Sequence, residues 1–414
     1  MPFAAPQLRP SRPPPRARAS RGRDILAECL AFAEFGAPTL DVTDEGIRYL
    51  INEFWTAGQR QAHALHEVSY RACFKPQLPE FFIARLTKPG DAVYDPFMGR
   101  GTTPLQAALM GRRPLGNDIN PLSLLLTRPR LAPPSLDAIA DRLRQVPWRK
   151  GKIAPDDLLV FFHETTLKQI DALRRYLLDG VAARGAIDPV DDWIRMVALN
   201  RLTGHSPGFF SVYTLPPNQA VSVEAQRKIN EKRQQSPAPK DIAALIVKKS
   251  RALLGDGGMA DHPPAILGSA PAHDTPFIAD GSVTLTVTSP PFLDIVQYAE
   301  DNWLRCWFAG IDVERVAIAH HRGIAEWTAM VRDTLSELAR VTRPGGHVAF
   351  EVGEVRNGQV MLEKLVWQAA ESQPFARLAV LVNQQNFTKT SNVWGIRNNK
   401  RGTNSNRIVM LRRR

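Results

Sequence analysis

Cysteine is scarce in this 414-residue chain. The three residues, Cys29, Cys73 and Cys306, lie far apart, are odd in number and show no paired spacing. This excludes a disulfide scaffold, argues against a structural zinc site and fits a reducing compartment. No apolar run approaches the ~20 residues that a membrane-spanning helix needs. Acid is also in deficit: 53 Lys and Arg stand against 41 Asp and Glu, a formal charge of +12. That balance favours a polyanionic partner, nucleic acid ahead of a membrane surface. What is plentiful is apolar side chain, 44% of residues against 23% charged. Most of the chain can therefore bury a core, and global disorder is excluded. The length suits one large domain or two modest ones.

Residues 1–23 hold six prolines, six arginines and no acid. They cannot bury enough surface to offset their ordering entropy, so a disordered tail is expected. No apolar stretch follows the charges, as a signal peptide would require. Residues 43–62 and 76–88 read as helical. Ala92-Val93-Tyr94 reads as a short buried strand, followed by a glycine turn, a helical run ending at Gly111 and a second strand over 114–118. This is a βαβ unit and implies a parallel sheet. Helical patterns at 164–178 and 188–202 follow, then a basic stretch. Strand patterns return at 283–288 and 347–352, and the segment from Phe387 onward reads as two strands joined by a polar loop. The expected organisation is a tail (1–23), a first catalytic part (24–135), a helical basic insertion (136–264) and a second catalytic part (265–414).

The glycine turn is Asp95-Pro96-Phe97-Met98-Gly99-Arg100-Gly101-Thr102-Thr103. It sits at the carboxyl end of the first parallel strand, where open α/β sheets bind ligands. Asp118 follows 17 residues beyond Gly101, at the tip of the next strand, where an acid can accept from two ribose hydroxyls. A dinucleotide fingerprint wants a third glycine at 104, which is proline, and a P-loop wants Gly-Lys-Ser/Thr. Neither is present. Asp95 can take an ammonium group, which nicotinamide nucleotides do not offer. Ammonium plus ribose points to S-adenosylmethionine.

The patterns D-P-F-x-G-x-G-T-T and, around Asp118, G-N-D-I-N-P are similar to the cofactor motifs of DNA amino-methyltransferases. The resemblance implies a Rossmann-like methyltransferase fold: a mostly parallel doubly wound sheet with an antiparallel C-terminal hairpin. It implies S-adenosylmethionine held by Asp95, Phe97, Gly99, Gly101, Thr102 and Asp118. Phe74 and Lys75 match an additional cofactor motif upstream. The family's acid for the cofactor's adenine is expected before the third strand, but Ser269 stands there.

Thr288-Ser289-Pro290-Pro291-Phe292 ends another strand pattern. The two prolines stop the strand and preset the backbone. An exocyclic amino group is a poor nucleophile because its lone pair is delocalised into the ring. The Ser289 hydroxyl oxygen and the Pro290 carbonyl can accept its two N–H groups and free that lone pair, with Pro291 fixing the corner and Phe292 stacking on the base. Positioning then dominates the rate, and no metal is called for. A base in duplex has to be flipped first, at about 2–4 kcal/mol. Among relatives, S-P-P-[YF] resembles the N4-cytosine branch more than the N6-adenine branch with D-P-P-Y. Cytosine N4 in DNA is the first expectation, and adenine N6 the alternative. An RNA base methyltransferase and a catalytically silent nucleic-acid-binding protein rank lower. The resemblance implies double-stranded DNA as partner, admits a cognate restriction endonuclease, and implies a bacterial cytoplasmic protein at the nucleoid.

The insertion is the candidate for target recognition. Its basic stretch includes Arg227, Lys228, Lys232 and Arg233, and the polar C-terminal loop adds Lys389, Asn398, Lys400 and Arg401. Trp303, Leu304, Trp307 and Phe308 form a helical apolar stripe expected to be core. Cys306 does not resemble the nucleophile of C5-cytosine enzymes.

Overall fold

The computed structural model describes residues 24–56, 62–70, 73–215, 220–257, 259–293, 298–312, 316, 323–355, 359–384 and 405–414. The tail (1–23) and the four basic or polar candidates at 389–401 lie outside them. After helix α1 (Ile25–Leu30), strands β1 (Leu40–Asp44) and β2 (Ile47–Asn52) form an antiparallel hairpin. The helix expected over 43–62 is therefore corrected. Ile47, Leu50, Ile51 and Phe54 do fall at helical spacing, but Glu45 and Gly46 both take positive φ (47° and 75°). Two such residues make the tight turn that suits a two-residue hairpin. β2 then pairs with a sheet strand, and tertiary pairing overrides the local pattern.

Helix α2 (Gln77–Leu86) leads into β3 (Ala92–Asp95), α3 (Thr102–Leu109) and β4 (Arg113–Asn117), the expected βαβ unit. The long crossover from β4 to β5 (Ile266–Gly268) carries α4 (Pro121–Leu131), α5 (Leu136–Gln145), α6 (Glu164–Arg184), α7 (Pro189–Leu199), α8 (Val223–Arg233) and α9 (Ile242–Leu253). Then come β6 (Val283–Thr288), α10 (Tyr298–Ala309), α11 (Ile324–Val341) and β7 (Thr342–Val352). A short hairpin of β8 (Glu354–Val355) and β9 (Val360–Met361) precedes α12 (Leu362–Ala369), β10 (Phe375–Gln384) and β11 (Ser405–Arg413). The first strand of the C-terminal pair thus lies upstream of Phe387.

The main sheet has nine strands in the order β1-β2-β10-β11-β7-β6-β3-β4-β5. Counted from β3, its last seven read 3-2-1-4-5-7-6. All neighbours from β5 to β7 are parallel, and β11 runs antiparallel between β7 and β10. This is the Rossmann-like methyltransferase arrangement. The order reverses between β3 and β6, so the crevice at their carboxyl ends is the topological switch point.

Strand alternation sends neighbouring side chains to opposite faces. Val93, Ala349, Leu381 and Ile408 pack under α2, whereas Tyr94, Phe350, Val382 and Val409 pack under α11 and α12. A third core joins the crossover helices to α3 and α10 through Leu105, Leu126, Ile139, Leu167, Trp193, Ile246 and Phe308. Leu304 and Phe308 are buried, and Trp303 and Trp307 pack half-buried against the same core, which makes the stripe structural. Among the described residues, no helix is long and apolar enough to cross a membrane.

Candidate active site

β3 delivers Asp95 to the sheet's carboxyl edge, and the chain turns at once. Gly99 and Gly101 take φ of +51° and +73°, the left-handed region that glycine enters without penalty. Gly101 N–H donates to the Met98 carbonyl (2.6 Å), and Met98 N–H to the Asn117 carbonyl (2.9 Å). A Cβ on Gly101 would stand 2.3 Å from Thr127 Oγ1 of α4, so this glycine is needed for packing as well as for φ.

Asp118 buttresses the turn. Its Oδ2 accepts Gly99 N–H at 2.8 Å and its Oδ1 accepts Asn120 N–H at 2.9 Å. An ionised carboxylate has about four acceptor positions, so two are used. Asn120 in turn caps α4 by accepting Leu122 N–H at 3.0 Å, with Pro121 at the first helical position. The Asn-Pro of the motif is thus a helix start.

Three supporting residues were not foreseen. Asn117 is fully buried and ties strand ends together: its amide donates to Ala270 O (2.9 Å) and Pro96 O (3.3 Å) and accepts Ala270 N–H (3.0 Å). Buried Arg100 donates to Val68 O (3.0 Å) and Phe74 O (3.3 Å), which draws the upstream segment against the turn. Arg130, wholly buried, donates to Leu65 O (3.0 Å) and to Arg100 O. Burial lowers its guanidinium to about 9. Their partners are main-chain atoms distant in sequence, so no local signal marks them.

β6 brings the second loop alongside. Thr288 Oγ1 donates to Asp95 Oδ1 at 2.6 Å, and Thr103 Oγ1 of α3 donates to the Val287 carbonyl at 2.9 Å. The Ser-Pro-Pro-Phe corner is gripped from below. Trp327 Nε1 of α11 donates to the Pro291 carbonyl at 2.8 Å. Glu351 of β7 follows Phe350, the residue paired with Thr288, and so lies next to Ser289 in the sheet register. Glu351 is 5% exposed, and its Oε1 accepts from Asn406 Nδ2 of β11 at 2.8 Å.

The two loops face one cavity of about 610 Å³. Of the candidate residues, Phe74, Asp95, Phe97, Gly99, Thr102, Asp118, Ser289 and Pro291 line it. Lys75 lies beside it, half-buried, with burial lowering its ammonium pKa. Gly101 and Pro290 are buried and are not among the lining residues. Phe292 packs half-buried against the core under α11 and is not among the lining residues. Ser269 is exposed, with its hydroxyl 3.4 Å from the Ile119 carbonyl, and also stays out of the lining. Tyr70 and Cys73, and Met330 and Asp333 of α11, complete walls that the sequence did not indicate.

The cavity is electrostatically unusual. Burial pushes the Asp95 carboxyl up to about 7, against the hydrogen bonds from Thr288 and Phe97 N–H. Asp118 is also raised by burial, against its two main-chain donors. Glu351 is pushed up to about 7 by burial, opposed by Ser289 and Asn406. Buried Cys306 is held up at about 11, unsuited to a thiolate nucleophile. Among the described residues, no group of three or more His, Cys, Asp or Glu is placed to hold a metal ion.

Away from the cavity, Arg227, Lys228 and Lys232 are exposed on α8. Arg233 stacks 3.8 Å over the Tyr213 ring, which gives it a structural contact.

Residues 40–125 match the family model N6_N4_Mtase, described as DNA methylase. Over 72 residues the chain is 40% identical to the type II methyltransferase M.MjaII of Methanocaldococcus jannaschii. That stretch is 17% of this chain and 13% of the relative. Among solved structures, TrmN from Thermus thermophilus aligns at 13% identity and TM-score 0.35, over 86% of this chain and 53% of that one. The geranyl diphosphate C-methyltransferase of Streptomyces coelicolor A3(2) aligns at 11% identity and TM-score 0.34, over 82% and 77%. The fold is read from the strand order, not from these distant likenesses. The matched segment holds β3, the glycine turn and Asp118, and over that segment the chain is similar to DNA methylases of the N6/N4 type.

Proposed function

We propose that this protein methylates an exocyclic amino group of a flipped base in double-stranded DNA, cytosine N4 ahead of adenine N6, with S-adenosylmethionine as methyl donor. One observation carries the reading: the tips of β3 and β6 are joined by the Thr288–Asp95 hydrogen bond (2.6 Å) and open on one cavity.

The residues present fit the cofactor. A cavity of about 610 Å³ is of the size that small-molecule sites have. Asp95 offers a carboxylate to an ammonium group, and Asp118 keeps about two acceptor positions for ribose hydroxyls. The open turn at Gly99 lets main chain approach the ligand, and Phe74 and Phe97 supply apolar wall. When bound, S-adenosylmethionine supplies a methyl carbon whose bond to sulfur breaks, the electron pair staying on sulfur, as the amino nitrogen takes the methyl and gives up a proton. The chain's own task is to hold that nitrogen. Ser289 Oγ and the Pro290 carbonyl accept its two N–H groups and draw it out of conjugation with the ring. The serine at 289 favours cytosine.

The crossover region 136–264 is the proposed target-recognition part. The exposed cations of α8 suit phosphate contacts that help offset the cost of flipping.

The test is mass spectrometry of nucleosides from DNA of a host expressing the protein. The expected product is N4-methylcytosine, absent from an empty-vector control. N6-methyladenine alone would overturn the cytosine preference. Labelled-methyl transfer to structured RNA but not to duplex DNA would overturn the substrate class.

A further inference from the structure

We infer that Asp333 of α11 is the acceptor for the purine amino group of the cofactor, so that the cavity takes a ligand built on adenine and refuses one built on a 6-keto purine. This rests on the S-adenosylmethionine reading above and extends it to the far end of the cavity.

The strand order gives the cavity an orientation. The tips of β6, β3, β4 and β5 stand side by side along the sheet edge, about 4.8 Å apart. In the reading above, methyl transfer belongs to β6, the ammonium group to Asp95 at the end of β3 and the ribose to Asp118 just after β4. The purine hangs from the ribose on the side away from sulfur. Along the edge, that side is the segment after β5. Main chain and amide hold this segment against the ribose site. Asp118 N–H donates to the Gly268 carbonyl at 3.3 Å, and the Asn117 amide exchanges two hydrogen bonds with Ala270 (2.9 and 3.0 Å). Ile119, Pro271, Ala272 and His273 line the cavity there.

Helix α11 supplies the facing wall. Glu326, Met330 and Asp333 recur at helical spacing and line the cavity, while Trp327, Val331 and Leu335 are buried in the core. One turn beyond Asp333, Glu337 is clasped to the segment after β5: its Oε1 accepts Thr275 N–H at 2.9 Å and Thr275 Oγ1 at 2.5 Å. The clasp sets the turn that carries Asp333 beside the residues just before Thr275.

At this end Ile119 and Met330 offer apolar surface to a ring, and His273 and Asp333 are the polar side chains. A histidine ring can donate or accept, whereas a carboxylate only accepts. Asp333 is thus the group that tells an amino group from a carbonyl. Among the described residues, no hydrogen bond or ion pair engages its carboxylate. Ser269 is outside the lining and turns its hydroxyl to the Ile119 carbonyl at 3.4 Å. A 6-keto purine would set its oxygen against the carboxylate, two acceptors with no proton between them, the kind of mismatch that gives polar sites their sharpest discrimination.

The experiment is calorimetry on the full chain with two ligands, S-adenosylhomocysteine and its 6-keto counterpart S-inosylhomocysteine. Wild type should bind the first about 10–100-fold more tightly, the worth of a hydrogen bond to a charged group. Asp333→Asn carries an amide that can turn its NH2 toward a carbonyl. It should weaken the first ligand, strengthen the second and so erase the preference. Ser269→Ala should leave both affinities at the wild-type value. Asp333 is exposed on its helix, and circular dichroism checks that the variants melt like wild type. The wild-type comparison stands without any variant. Equal wild-type affinity for the two ligands, an unchanged ratio in Asp333→Asn, or a preference lost in Ser269→Ala would overturn this inference alone. Failure of wild type to bind either ligand would instead overturn the cofactor reading on which it rests.

Discussion

At the tip of β3, the glycine turn is held by neighbours close in sequence: Asp118 and the main chain of Asn117 across one βαβ unit, with Gly101 seated on Thr127 of the next helix. At the tip of β6, the Ser-Pro-Pro-Phe corner is held by Trp327 of α11, with Glu351 of β7 beside it and bonded in turn to Asn406 of β11. The first loop closes its turn within one βαβ unit, and Arg100 and Thr288 then tie it to the rest of the fold. The second takes its working geometry from the completed sheet. The contrast separates two kinds of damage, one to ligand binding and one to turnover.

The largest effect should come from the corner. Ser289→Ala removes the proposed acceptor for the reacting amino group, and methyl transfer should fall about 10²–10³-fold, the range seen when one preorganised hydrogen-bonding group is deleted. S-adenosylhomocysteine affinity should stay at the wild-type value. A parallel loss of affinity would break the division between the loops. Asp118→Ala should do the reverse. The proposed ribose acceptors go, and Gly99 and Asn120 lose the partner of their N–H groups. Affinity by calorimetry should weaken about 10–100-fold, with Asp118→Asn intermediate because one acceptor oxygen survives.

The smallest effect sharpens the comparison through stability. The Asp95 carboxyl is raised by burial from 3.8 to about 7. The folded state therefore holds its proton to higher pH than the unfolded state. Stability falls as pH rises across that window and is level above it. Asp95→Asn puts a neutral amide in place of the carboxyl, and the amide oxygen can still accept from Thr288 Oγ1 and Phe97 N–H. That variant should melt about 1–3 °C higher than wild type at pH 8 and show no gain at pH 4, by calorimetry. Its cofactor affinity should fall. An unchanged melting temperature at both pH values would show that the carboxylate costs the fold nothing.

How far the sequence disclosed this arrangement follows the same division. β3 was legible as a short apolar run before a glycine turn, β4 from its place after that turn and its helix, and β6 from its run of mostly β-branched Val and Thr. The 43–62 segment misled because its apolar spacing satisfies a helix, while the hairpin depends on pairing with β10, far along the chain. In the site, the glycine turn, Asp118 and the tetrapeptide stood out as motifs. Glu351, Trp327, Asn117 and Arg100 did not, since each acts through a contact made only in three dimensions. Glu351 sits in an otherwise apolar strand, Val348 to Val352, and a lone acid at such a position is the one cue that was available.

The antiparallel strand β11 is the last of the sheet to leave the ribosome, yet it occupies a central place between β7 and β10. During synthesis those two strands must wait with exposed edges until residues 405–413 thread between them. The same insertion delivers Asn406 to Glu351. Completion of the sheet and the pairing of Glu351 with its amide partner are thus a single event, and a nascent chain halted before Ser405 would carry every recognisable motif while lacking the strand that fills the sheet's centre.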